Sequence, residues 1–587
     1  MKLLLPSQET PREGRFSFPA FKYALVPLLL FASWMVSLHI PPWVGWHNEI
    51  LVFAAGVWVA GIGLLDQRIC NRPFVHFPRA IWALVFLGAV VVVQFVSGRI
   101  DFFGDALVLI AYLLLCAVAL GLGFELGAIQ PAGDARETSR QSLLIALAVL
   151  LITAGFFSVM FALVQALDLW ESATWITPMQ FRRPGGNLGQ PNHLATLLLF
   201  CIASAAYLHA CKLLRTFLGS LVALVLLLGL AITESRTGAL GFFAIVGWYL
   251  FKRCRGLILP TSAVVLWMLY FALWFWFWPA CLNFIFIGGL ESANGLVQVS
   301  TEGGTRLLVW PQLWRAVLLR PWFGWGLREV SEALNAVASL YSRTDAFTYA
   351  HNIALDLAIG IGLPGTVLLI AVSIYWFIRR ARAVNDPITW YCVAVVLPLA
   401  IHSMLEYPFA YAYLLAPVMV LIGVLEARLA PEKVFRIPWR LALAVWFCAS
   451  ALTVLSVREY IAIEEDFRVA RFEALRTGKT PDDYERPRII LLTQLDALLE
   501  GARIVPVPGM AIDRIELARR VALRFPYPAT QNRYALALAL NGNPDEAMRQ
   551  LKVMHAMFNG PIYDGVKVNW VALAKDKYPQ LAGFTMP

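Results

Sequence analysis

Thirteen apolar runs follow one another through the first 457 residues of this chain, most of them near the roughly 20 residues an α-helix needs to cross a bilayer core. They lie near 22–40, 49–66, 79–97, 104–128, 142–168, 193–209, 214–232, 237–251, 257–279, 352–378, 389–403, 407–427 and 439–457. Lipid offers no partner to a backbone N–H or C=O, so such segments must bond internally as helices. Composition agrees. Hydrophobic residues make up 59% of 587 and charged ones 15%, well below the roughly 25% of soluble domains. The expected fold is an all-α polytopic membrane protein of about 13 transmembrane helices. The first run lacks a small-residue cleavage site and precedes many more spans, which argues against a removable signal. Eight scattered cysteines show no ligand or disulfide spacing.

A net charge of +10 would suggest nucleic acid in a soluble protein. In a membrane protein it reads as topology, because lysine and arginine accumulate in loops kept inside the cell. With the amino-terminal tail 1–21 inside, the inward connections are 67–78, 129–141, 210–213, 252–256, 379–388 and 428–438. Together with their helix-end residues they hold seventeen basic residues. The short outward loops carry four: Arg99, Arg182, Arg183 and Arg236. The expectation is a bacterial inner-membrane protein with a cytoplasmic amino terminus. A polar island at about 280–351 and the tail 458–587 then face the periplasm. The tail is charged and helical in pattern, and Arg533 to Ala547 reads as helix, turn and helix start, similar to one tetratricopeptide unit.

Four outward segments carry chemistry-bearing residues. In Arg182-Arg183-Pro184-Gly185-Gly186-Asn187-Leu188-Gly189-Gln190-Pro191-Asn192-His193, glycines let backbone amides approach an anion while two arginines add charge. The plain alternative is a surface turn with Asn192 as helix cap. Arg236, in Glu234-Ser235-Arg236-Thr237-Gly238, sits between two spans, where an arginine needs a cavity or a partner such as Glu234. In the island, Arg306 and Trp310 are four residues apart and share a helix face. The turn Arg320-Pro321-Trp322-Phe323-Gly324-Trp325 suits a lipid–water boundary. Last comes Tyr349-Ala350-His351-Asn352, where an imidazole meets the start of a span and is suited to move a proton.

Outward arginines at a bundle mouth suit a phosphate or diphosphate, which the planar guanidinium binds with two hydrogen bonds. A lipid-carried diphosphate presents its headgroup at this height. No Asp-rich metal motif lies on this face, and neither metal, cofactor nor nucleic acid is expected. Arginines would stabilise charge on a leaving diphosphate, and a histidine would take a proton from an acceptor hydroxyl.

These residues together resemble the O-antigen ligase/polymerase superfamily. The resemblance rests on Gly186 to Ala195, Glu234 to Gly238, Arg306…Trp310 and His351-Asn352…Gly362…Gly365. His402-Ser403-Met404-Leu405-Glu406-Tyr407-Pro408 and the outward tail look most like PglL-type protein O-oligosaccharyltransferases. The resemblance implies a metal-independent inverting glycosyltransferase of GT-C type using an undecaprenyl-diphosphate-linked oligosaccharide. It implies His351, Arg306 and Arg236 as catalytic residues, with His351 activating the acceptor hydroxyl and the arginines binding the diphosphate. Arg182, Arg183, Gln190, Asn192, His193, Asn352, His402 and Glu406 would bind substrate. Relatives often carry a glutamate nine residues after the histidine, where this chain has Gly360, with Asp356 a nearby substitute. The expected reaction is en bloc transfer of glycan to serine or threonine of a pilin or other exported protein. Transfer to lipid A–core, polymerisation of repeat units and transport of the lipid-linked glycan are the alternatives.

Overall fold

The structure is a computed structural model. It describes residues 18–69, 73–128, 135–169, 174–179, 183–252, 259–285, 294–431 and 434–587. Among these the chain forms α1 (Phe18–Met35), α2 (Trp46–Ile69), β1 (Phe74–Pro78), α3 (Ile81–Val96), α4 (Phe103–Gly127) and α5 (Ala135–Ala166). There follow α6 (Pro191–Ala210), α7 (Thr216–Ile232), α8 (Arg236–Phe251), α9 (Thr261–Ile285), α10 (Asn294–Leu319) and α11 (Val330–Ala338). Next come α12 (Ile353–Ala383), α13 (Pro387–Ser403), α14 (Ala412–Leu429), β2 (Val434–Pro438) and the long α15 (Trp439–Leu475). The tail adds α16 (Thr493–Ala502), α17 (Ile512–Arg524), α18 (Pro528–Leu540), α19 (Pro544–Met557) and α20 (Pro561–Asp576).

Each of the thirteen apolar runs falls on a helix. Eight helices, namely α2, α4, α5, α6, α9, α12, α14 and α15, are long and apolar enough to cross a membrane. The apolar parts of α1, α3, α7, α8 and α13 are shorter. Packing follows the small residues. A Cβ on Gly123 of α4 would lie 1.8 Å from the Val420 carbonyl of α14, and one on Gly423 would lie 2.2 Å from the Leu120 carbonyl. These two helices therefore touch backbone to backbone, the association expected where apolar burial alone gives no preference for a helix over lipid. α6, rich in alanine, is buried along nearly its whole length.

At one end of the bundle β1 pairs antiparallel with β2, His76 opposite Arg436, tying the α2–α3 connection to the α14–α15 connection. At the other end Glu49, in the first turn of α2, accepts from the Ala412 amide at the start of α14 (2.7 Å).

Between α10 and α12 the Trp- and Gly-rich turn does more than border lipid. α12 is broken at Gly362 (φ 80°, ψ 171°), two residues before Pro364, which frees backbone groups. The turn satisfies them: Trp325 N–H donates to the Ile359 carbonyl and Leu363 N–H donates to the Pro321 carbonyl, both 2.7 Å. A side chain on Gly362 would collide with the Trp322 carbonyl at 2.4 Å. Trp325 is buried, while Trp322 and Phe323 stay exposed. The break thus fixes α10 and the first turns of α12 relative to each other.

The tail is fastened to the same end. Glu459 of α15 accepts from the amides of Ile490, Leu491 and Leu492 (2.8–3.1 Å). Thr493 accepts from the Gly104 amide (3.0 Å). Val553 and Met557 of α19 share a core with Val309, Leu334 and Phe347 of the island. α18 and α19 make the helical hairpin, with Ala535, Leu536, Leu551 and Met554 in one cluster.

Candidate active site

Four helix ends and the middle of α10 converge at the bundle end that carries the tail. Pro191 at the first position and Gln190 before it start α6, the Gln190 carboxamide accepting from the His193 amide (2.8 Å). Ser235 starts α8 in the same way, accepting from the Gly238 amide (2.9 Å). Asn352 starts α12, accepting from the Leu355 amide (3.1 Å) and donating to the Met404 carbonyl (3.0 Å). α13 ends at Ser403 with a tight turn in which the Glu406 amide donates to the His402 carbonyl (2.8 Å). α10 supplies Arg306 and Trp310.

Glu406 is the hub of these ends. Its Oε2 accepts from His351 Nδ1 at 2.8 Å, and its Oε1 pairs with the Arg306 guanidinium. The same Oε1 accepts from Asn192 Nδ2 at 3.3 Å. Burial would raise this carboxyl, but the hydrogen bond and charge of His351, with Arg306, outweigh it and hold its pKa below the ordinary value. An ionised carboxylate only accepts, so Nδ1 carries the proton, and an imidazole holding that one proton keeps Nε2 as its basic lone pair. His351 itself has φ 55°, a left-handed backbone that costs a non-glycine residue about 1 kcal/mol. Two bonds hold that turn: Asp356 Oδ1 accepts from the Ala350 amide (3.0 Å), and the Ala350 carbonyl accepts from Trp310 Nε1 (2.7 Å).

Behind the hub, Asn192 Oδ1 accepts from Ser235 Oγ (2.6 Å) and Arg183 Nη2 (3.2 Å), and Arg183 Nε donates to the Thr233 carbonyl (3.0 Å). This brings Asn192, Ser235, Arg183 and the start of α8 into one network with Glu406. Arg236, next to Ser235, is exposed at the first turn of α8 and has no side-chain partner among the described residues. Arg182 lies outside the described residues.

Two expected substrate contacts, His193 and His402, are buried, each bonded to a neighbouring side chain through Nδ1. His193 Nδ1 meets the Tyr413 hydroxyl at 2.9 Å. His402 Nδ1 meets Thr196 Oγ1 at 2.7 Å. The Gln190 side chain serves its helix start, as above. The position of the missing glutamate also resolves. Gly360 faces Gln94, whose Nε2 donates to its carbonyl (2.7 Å), and a Cβ there would sit 2.8 Å from Leu327 Cδ2. Asp356 Oδ1 is taken up by the turn, and the carboxylate that meets His351 is that of Glu406, 55 residues downstream. Sequence reasoning also passed over Tyr349, Tyr407 and Tyr411, whose rings line up beside the histidine. Tyr349 and Tyr407 stack at 4.6 Å, Tyr407 and Tyr411 at 6.0 Å, and Tyr407 meets His351 edge-on at 4.8 Å. The spacing Tyr407…Tyr411 was the available signal.

Comparison with known families places three descriptions along the chain in order. A protein glycosylation ligase family matches residues 184–209, an O-antigen ligase family matches 221–370, and the C-terminal family of virulence-factor membrane-bound polymerases matches 390–570. Among curated proteins, a general O-oligosaccharyltransferase of Acinetobacter baylyi is 26% identical over 558 residues, 92% of this chain and 94% of that protein. A ComP-specific O-oligosaccharyltransferase of the same organism is 26% identical over 376 residues, 62% of this chain and 64% of that protein. The likeness first read from a few short motifs therefore runs the length of the chain, and it is a likeness to membrane O-antigen ligases and O-oligosaccharyltransferases.

Proposed function

We propose that this protein transfers an oligosaccharide en bloc from an undecaprenyl-diphosphate carrier to a serine or threonine hydroxyl of an exported protein. The observation that carries the reading is the Arg306–Glu406–His351 constellation. Glu406 orients the imidazole with Nε2 free, as an acid partner does for a catalytic histidine. The acceptor oxygen attacks the anomeric carbon, its proton passes to Nε2, and the bond from that carbon to the diphosphate oxygen breaks with its electron pair on the leaving diphosphate. Arg306 and Arg236 stabilise the charge developing there. Arg306 must exchange Glu406 for the diphosphate when the donor arrives. Protonated His351 then returns its proton to solvent.

The topology that suits this reading is thirteen spans in a bacterial inner membrane with a cytoplasmic amino terminus. The region 22–457 is then the membrane glycosyltransferase domain, with its site and the helical domain 458–587 in the periplasm. Its support is the inward bias of basic residues and the convergence of the site and tail on one bundle end. Ligation to lipid A–core uses the same donor chemistry and is the second reading, favoured by the O-antigen ligase match.

The test supplies purified protein with lipid-linked glycan and either a pilin-like protein or lipid A–core. Transfer to the protein, lost in His351→Ala while donor binding persists, is expected. Glycan on neither acceptor sinks the transferase reading, and glycan on lipid A–core alone sinks the protein-acceptor version.

A further inference from the structure

The chemistry above uses nothing from α16–α20, yet an unbroken line of side chains runs from α17 to His351. Arg524 of α17 donates through Nε and Nη2 to the two oxygens of Asp105 on α4, both at 2.7 Å. Both side chains are buried. Asp105 Oδ1 also faces Arg328 Nε at 3.4 Å. Arg328 stands in a left-handed conformation (φ 72°) at the end of the turn that plugs the break in α12. Its guanidinium lies over the Tyr349 ring, 5.6 Å from the centroid. Tyr349 stacks on Tyr407 with 7° between planes, and Tyr407 meets the His351 ring at 84°.

One hydrogen bond fixes a point on an imidazole and not its plane. Glu406 holds Nδ1, but the ring can still swing about that contact, and His351 is only partly buried. The Tyr407 edge, with Phe347 also 4.8 Å away, limits that swing. Tyr407 in turn is flat against Tyr349, whose ring also meets Arg328 and Phe409. Two arginines converge on the single Asp105 carboxylate, so that carboxylate decides whether Arg328 can stay near Arg524 at all.

We propose that the carboxyl-terminal domain is a positioning element for His351. Arg524 and Asp105 fix Arg328, Arg328 holds Tyr349, and Tyr349 with Tyr407 sets the plane in which His351 Nε2 meets the acceptor hydroxyl. Arg524, Asp105, Arg328 and Tyr349 are positioning residues that do not touch the reacting atoms. The proposal rests on His351 acting as the base.

The test uses the full chain with polyprenyl-diphosphate-linked oligosaccharide and acceptor protein, reading kcat and both KM values. Wild-type transfer that depends on His351 is the starting condition, and its absence refutes the transferase reading itself. Given it, Tyr349→Phe keeps ring and stacking and should turn over near the wild-type rate. Tyr349→Leu should lose about tenfold in kcat, the worth of one stacked pair and one cation–ring contact, with both KM values unchanged. Arg524→Lys, which cannot hold both Asp105 oxygens in one plane, should lose several-fold in kcat. The double variant should be no worse than Tyr349→Leu, since both act through one line. Multiplying losses, wild-type kcat in Tyr349→Leu, or an equal loss in Tyr349→Phe would each overturn the proposal.

Discussion

Replacing Glu406 with glutamine keeps the shape of the hub and removes its charge. A hydrogen bond to an ionised group is worth about 1.5–3 kcal/mol against about 0.5–1.5 for a neutral one, so the direct loss at His351 Nδ1 is about 1–2 kcal/mol. That loss falls on the transition state, where the imidazole becomes cationic. A glutamine amide can also donate to Nδ1, which moves the proton to Nε2 and removes the base from that fraction of molecules. Together these reach about 2–4 kcal/mol, a thirty- to thousandfold fall in turnover. Arg306 is about a fifth exposed and loses its partner's negative charge, which eases the competition for the diphosphate. Donor affinity should therefore hold or rise while kcat collapses. Single-turnover transfer with saturating donor, beside a direct donor-binding titration, separates the two. Turnover within threefold of wild type, or donor binding weakened in step with turnover, would refute this account of Glu406. Acid does not mimic the variant near neutrality. The folded pKa of this carboxyl is depressed, so its contribution is present above the usual value near 4.3 and is lost only as pH falls through the lower folded one.

Two further outcomes follow from the same geometry. Glu329, buried between the island and the tail, has its pKa raised well above the ordinary value by burial, against the opposing charge of Arg524. A raised carboxyl favours folding fully below its unfolded value, and that stability drains away as pH rises toward the folded one, by about 1.4 kcal/mol per unit. Thermal stability should fall from pH 5 to 8 in the wild type and less so in Glu329→Gln; equal slopes would refute it. Asn352→Ala removes a helix cap worth about 1 kcal/mol, together with the bond to Met404. A melting temperature lower by about 2–4 °C is expected, with kcat reduced further than that stability change explains, because the cap adjoins the His351 turn. An unchanged melting temperature would show that the cap carries no weight.

The sequence by itself determined that the chain is helical and built for a membrane. Apolar runs of this length leave the backbone no other way to satisfy its hydrogen bonds, and every expected run falls on a helix. It also picked out His351, Asn192 and Glu406, because polar residues at the ends of apolar helices stand out against their surroundings, and Arg306, because it lies in a polar island between apolar runs. What it could not supply was which of them meet. Glu406 lies 55 positions from His351 and 100 from Arg306, and no local periodicity links such distances. For the same reason Gly360 looked like a missing carboxylate, when packing against Leu327 turns that position toward Gln94 and another helix end provides the acid. His193, His402 and Gln190 read as ligands because their donor and acceptor atoms are visible in sequence, whereas their partners, Tyr413, Thr196 and the His193 amide, are set by how α6 packs on α13 and α14 and by how α6 starts. Periodicity and charge bias act locally along the chain and can be read from it. The constellation that joins Arg306, Glu406 and His351 depends on where helix ends come together, and only tertiary packing decides that.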